Sequence, residues 1–164
     1  MKPLLFIEKY LSAANQITKD WQIPPIVTLA QAAVESGWGT KAPGYNFFGY
    51  SASENYNGKR QLLKTVEYHT SPDVKYPVII SITNMGNKYK YVVRKFFKCY
   101  SNPVESFTDY ATLISSDKYE SAFDYTDDPE RFFTVIYNAG YATNPAYYQL
   151  VISVMQTLKK YITT

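Results

Sequence analysis

Apolar residues recur every three or four positions at both ends of this chain and alternate with polar ones in its middle. Leu4, Ile7, Leu11, Ala14 and Ile17 fall on one face of a helix, with Pro3 placed where a first helical turn needs no N–H. Pro24-Pro25 breaks that pattern and opens a second helix with a stripe of Ile26, Leu29, Ala30, Ala33 and Val34. Gly37 and Gly39 end it, as glycine does just past a helix. From Asn46 to Tyr100 the period changes. Leu63, Thr65 and Glu67 alternate with Lys64, Val66 and Tyr68, and Val78-Ile79-Ile80-Ser81-Ile82-Thr83 is a β-branched run. Asn84-Met85-Gly86-Asn87 then makes a turn between two strands.

Helical spacing returns after Tyr100. Asn102, Pro103 and Glu105 form a capping box ahead of Val104, Phe107, Ala111 and Ile114. Asp128-Pro129-Glu130 opens a helix carrying Phe132, Phe133, Val135 and Ile136, which Gly140 closes. Asn144-Pro145 opens the last, with Val151, Val154, Met155 and Leu158. Helices, an inserted β segment and more helices predict an α+β fold, mostly helical, with a small antiparallel β lobe at about residues 50–100. The 164 residues suit a single domain spanning 1–164.

Composition changes the picture in one respect. The 17 Tyr, 9 Phe and 2 Trp are an excess of aromatic surface. Tyrosine combines a flat apolar ring with a polar tip, suited both to a core edge and to stacking on a sugar. The formal net charge of +3 is too mild for nucleic acid. Lys88, Lys90, Arg94, Lys95 and Lys98, interleaved with Tyr89, Tyr91, Phe96 and Phe97, read as the solvated face of a strand, with a weak pull on anionic polymers. Cys99 is the single cysteine and His69 the single histidine, so neither an intrachain disulfide nor a Cys/His metal cluster forms, and no cofactor is implied. No stretch reaches the roughly 18 apolar residues of a membrane span, and the N-terminal apolar run is too short for a recognisable signal peptide.

The candidate chemistry centres on Glu35. On a helical wheel it lies opposite the apolar stripe, on the side of Gln31 and Thr28, which by itself describes a solvated glutamate. Two features point elsewhere. Glu35 sits at the end of its helix, and Gly37-Trp38-Gly39 follows, offering an indole to cover the carboxyl. Apolar cover raises a carboxyl pKa and keeps the group protonated, ready to donate.

Gln31-Ala32-Ala33-Val34-Glu35-Ser36-Gly37-Trp38-Gly39, followed by Asn46-Phe47-Phe48-Gly49, resembles the N-acetylglucosaminidase domain of glycoside hydrolase family 73. Thr65-Val66-Glu67-Tyr68 is similar to that family's Thr-Thr-Glu-Tyr. Phe97-Lys98-Cys99-Tyr100 with Ser106-Phe107-Thr108-Asp109-Tyr110 is similar to its Phe-Arg-x-Tyr and the helix after it. Ala139-Gly140-Tyr141-Ala142-Thr143-Asn144-Pro145-Ala146-Tyr147 is similar to its Ala-Gly-Tyr-Ala-Thr-Asp-Pro-x-Tyr. The four matches keep the family's order and cover nearly the whole chain.

The resemblance implies a lysozyme-like fold and an endo-β-N-acetylglucosaminidase acting on peptidoglycan in the periplasm or at the cell wall, with glycan strands as partner and the chain expected to be a monomer. It implies Glu35 as the general acid, Glu67 as the second carboxylate and Tyr141 near the scissile bond, with Trp38, Asn46, Phe48 and Tyr147 lining the substrate site. Two mechanisms stay open: Glu67 activating water with inversion, or attack by the substrate's own 2-acetamido group supported by Tyr141 or Glu67. A lytic transglycosylase and a non-catalytic peptidoglycan-binding module are the competing readings. The chain departs from the pattern at Lys98, at Asn144, and over residues 70–88, where an enlarged β lobe is expected.

Overall fold

A computed structural model describes residues 1–162. Helices α1 (Pro3–Trp21), α2 (Pro25–Ser36), α3 (Pro103–Ile114), α4 (Pro129–Asn138) and α5 (Pro145–Ile162) flank strands β1 (Arg60–His69), β2 (Val78–Asn84) and β3 (Tyr89–Lys98). Every one of these helices begins on proline, whose fixed φ and missing N–H suit the first turn. The chain divides into two compact units: Met1–Phe48 with the residues from Ser101 onward, and Gly49–Tyr100.

The helical unit is organised around α2. Phe6, Ile17, Leu29, Phe107, Phe132, Phe133, Ile136 and Met155 are fully buried with it. The stripe on α1 is rotated from the expected one. Phe6, Ile7, Tyr10, Ala13, Ala14 and Ile17 face inward, while Leu4 is 50% exposed. Positions 6, 10, 13 and 17 follow the 3.6-residue period from the fixed centre of α1, and Leu4 falls at its rim. A larger correction concerns α2 itself. Thr28 and Gln31, expected on a solvated side, are both completely buried, because α1 and α5 both pack on α2.

Caps fix the later helices. Asn102 Oδ1 accepts from the Glu105 N–H (3.1 Å), and Glu105 returns a carboxylate oxygen to the Ser101 N–H (2.8 Å), so two orphan donors are satisfied reciprocally. Asp128 Oδ1 accepts from the Arg131 N–H at 3.1 Å. Asn144, standing where the family pattern has aspartate, accepts from the Ala146 N–H at 2.9 Å, so the exchange keeps its capping function. The sequence pattern missed the 3-10 helix Asp117–Tyr125. Tyr119, Ala122 and Tyr125, spaced by three, follow the period of that helix and not of an α-helix, and Phe123 packs beside them on Phe132.

The second unit is an antiparallel sheet in the order β1-β3-β2. Tyr91 and Val93 of the central strand are fully buried and stand opposite Glu67 and Thr65 of β1. Glu67 therefore shares their face, and Val66 and Tyr68 point to the other. The predicted turn closes β2 onto β3: the Met85 N–H donates to Lys88 O (2.8 Å), Asn84 Oδ1 accepts from the Gly86 N–H (2.8 Å), and Gly86 takes φ 94°. Residues 70–88, where enlargement is expected, comprise a loop, the strand β2 and this turn. Tyr91 fastens the loop, its hydroxyl donating to Ser71 O at 2.9 Å and accepting from the Val74 N–H at 3.3 Å.

Candidate active site

The end of α2 is wound into a tight left-handed turn. Gly37, Trp38 and Gly39 take φ of 57°, 58° and 75° in succession. Glycine accepts that conformation freely, whereas a non-glycine residue held there stores roughly 1–3 kcal/mol. The turn is held by buried Ser36, whose hydroxyl donates to Ala32 O and accepts from the Gly39 N–H (2.8 Å), and whose carbonyl accepts from the Lys41 N–H (2.8 Å). The Trp38 N–H reaches back to Ala33 O at 2.7 Å. Glu35 sits in the last turn before this stop.

One tyrosine comes to Glu35 from the far end of the chain, with a second beside it. Tyr147, in the first turn of α5, hydrogen-bonds the Glu35 carboxyl and also bonds Tyr141. Tyr141 follows Gly140, whose φ of 93° turns the chain out of α4. The two rings lie nearly parallel, 23° apart with centroids 6.1 Å apart. Glu35 as a residue reaches solvent, yet its carboxyl is crowded enough that burial raises its pKa above the usual carboxylate value. The hydrogen bond from Tyr147 opposes that rise. Burial, then the neighbouring Glu35 charge, pushes the Tyr147 phenol up, so it stays protonated and available as a donor.

The remaining expected residues fall in two groups. Phe48 stacks on Tyr110 at 4.5 Å and 12°, and Asn46 is buried, its N–H bonded to Pro43 O. The Trp38 indole packs edge-on against Phe6 at 5.5 Å, so its aromatic partner is a core residue of α1. Glu67 belongs to the β unit, where the Lys95 ammonium lies 2.6 Å from its carboxylate. Among the described residues no group of His, Cys, Asp and Glu could hold a metal ion, and no helix is long and apolar enough to cross a membrane.

Sequence reading passed over one participant. Gln31 lies one turn before Glu35 and is completely buried. Its amide oxygen accepts from the Tyr110 hydroxyl, and its amide nitrogen donates to the Tyr147 hydroxyl at 3.2 Å. Its i, i+4 spacing puts it on the same side of the helical wheel as Glu35, opposite the apolar stripe, which reads as a solvated face.

An α+β domain with a glutamate ending a buried helix beside a tyrosine hydroxyl has the architecture of a lysozyme-like glycoside hydrolase. The family model described as mannosyl-glycoprotein endo-beta-N-acetylglucosaminidase matches residues 11–160, and the chain belongs to this glucosaminidase family. It is 30% identical to the peptidoglycan hydrolase FlgJ of Vibrio parahaemolyticus over 96% of its own length and 48% of that protein. It is also 30% identical to an autolysin of Enterococcus faecalis, over 88% of this chain and 19% of the other. A solved glycoside hydrolase domain of Salmonella typhimurium FlgJ superimposes with a TM-score of 0.76 at 28% identity, covering 97% of this chain and 99% of that one. The chain thus spans about half the length of the FlgJ relatives it matches.

Proposed function

We propose that this domain hydrolyses the β-1,4 bond after N-acetylglucosamine in the glycan strand of peptidoglycan, with Glu35 as the general acid. The observation that carries the reading is the Glu35 carboxyl, desolvated at a helix end while tied to a tyrosine hydroxyl. Glycoside cleavage needs a proton on the leaving oxygen and support at the anomeric carbon. A carboxyl with a raised pKa keeps its proton to higher pH than an ordinary glutamate, and once it is given away the Tyr147 hydroxyl steadies the carboxylate left behind. Tyr141, stacked beside Tyr147, meets the sugar next to the reacting bond. Glu67, engaged by the Lys95 ammonium, is the second carboxylate and activates water for inversion. The likeness to peptidoglycan hydrolase FlgJ and to an autolysin supports the substrate, and with it a site of action at the cell wall or in the periplasm.

Mass spectrometry of soluble products from purified peptidoglycan tests the reading, with wild type and Glu35→Gln run in parallel. Reducing N-acetylglucosamine ends are expected from wild type alone. Anhydro-muramyl ends would instead make the enzyme a transglycosylase, and reducing N-acetylmuramic acid ends would move the cleaved bond. Anomeric NMR on the fresh products separates inversion from retention, and retention would transfer the role of Glu67 to the substrate's acetamido group.

A further inference from the structure

We propose that Gln31, locked by Tyr110, is a positioning residue that directs the single hydroxyl proton of Tyr147 at Glu35. The argument is a count of donors and acceptors. A phenol hydroxyl has one proton and two lone pairs. At Tyr147 one lone pair takes the Gln31 amide N–H at 3.2 Å, and an amide nitrogen cannot accept the hydroxyl proton in return. The proton is then left for Glu35.

Gln31 is engaged at both ends of its amide. The Tyr110 hydroxyl occupies its amide oxygen, which sets the amide nitrogen toward Tyr147. Tyr110 is fully buried and its ring lies flat against Phe48, so the lock is held by packing. The relay joins α3, α2 and α5 through side chains separated by 79 and 116 residues in sequence. A glutamine deep in a helical core has a desolvation cost that satisfied hydrogen bonds offset. Here those bonds also orient a donor at a carboxyl. Phe48, expected to touch substrate, acts in this relay through the Tyr110 ring.

The inference rests on Glu35 being the acid only where catalysis is concerned; the orientation of Tyr147 is measurable in the resting protein. The test is a carboxyl NMR titration of Glu35 in wild type, Tyr110→Phe and Gln31→Leu, alongside the pH dependence of kcat/KM. Tyr110→Phe deletes one oxygen and keeps the stacked ring. The freed amide then turns its oxygen toward Tyr147 and captures the proton. Loss of a hydrogen bond to the ionised form raises a carboxyl pKa, so the Glu35 titration should move up by about one pH unit in Tyr110→Phe, and by less in Gln31→Leu, where no amide oxygen competes for the proton. The alkaline limb of the rate profile should move with it. The other ionisable side chains on the neighbouring elements, Tyr141, Tyr147 and Lys41, are unchanged in both variants. A Glu35 titration unmoved in Tyr110→Phe would overturn the relay, even if turnover falls, and that variant alone decides should Gln31→Leu fail to fold. Full activity in Glu35→Gln would remove the acid assignment while leaving the titration to judge the relay.

Discussion

Glu35 and Glu67 are two carboxylates placed by opposite means. Glu35 ends a helix buried on nearly every side, and its partner is a neutral hydroxyl carried in from α5. Glu67 stands on a strand beside buried Tyr91, and its partner is the Lys95 ammonium at 2.6 Å. Desolvation raises the Glu35 pKa against the opposing hydrogen bond from Tyr147, whereas Glu67 is held in an ion pair. The same side chain is thereby suited to give a proton in one unit and to act as an anion in the other. The units differ in packing as well. The helical one encloses a large aromatic core, while every residue of β2 is exposed.

Glu35→Gln should break the comparison most sharply. A general acid contributes about a hundredfold to ten-thousandfold, so kcat on peptidoglycan should fall by that range with the fold unchanged by circular dichroism. Next, Phe132→Ala in the helical core should cost about 3–5 kcal/mol in urea unfolding. Ile82→Ser on β2, already 41% exposed, should stay within about 0.5 kcal/mol. A comparable loss from Ile82→Ser would mean that β2 is covered in solution. Glu67→Gln should lower kcat by about tenfold to a hundredfold, at the weak end of base catalysis. A smaller loss, with retained anomeric configuration, would favour the acetamido route.

The smallest effect is on stability against pH. The folded pKa of Glu35 is raised, so between its unfolded value of 4.5 and its folded value the native state binds more protons. Stability from this group is therefore full below the unfolded pKa and declines as pH rises through the folded pKa. Glu35→Gln should remove that decline, giving a slightly higher Tm than wild type at pH 7 and no difference at pH 4. Equal melting temperatures at both values would argue that the carboxyl is not desolvated.

Short-range chemistry made much of this protein readable from its amino acids. Proline starts, Asn102 and Asp128 caps, the Gly37 stop and the Asn84–Asn87 turn each act over four residues or fewer, and each lies where the pattern put it. The motif around Glu35 was legible for the same reason, as was the likeness that linked Tyr141 and Tyr147 to it. The helix Asp117–Tyr125 escaped because its three-residue period is not the one an α-helical pattern seeks. The inward turn of Phe6 and Tyr10 at the expense of Leu4 depended on which neighbours α1 meets.

The sequence by itself determined where helices begin and end, that a β segment interrupts them, and that Glu35 closes a helix. Only the tertiary structure decided what surrounds that carboxyl. Gln31 looked like a solvent-facing polar residue until α1 and α5 packed around α2, and its partners Tyr110 and Tyr147 lie 79 and 116 residues away. Periodicity and capping carry no information over such distances. Burial does, because a polar group taken out of water must find its hydrogen bonds among whatever side chains the fold brings beside it.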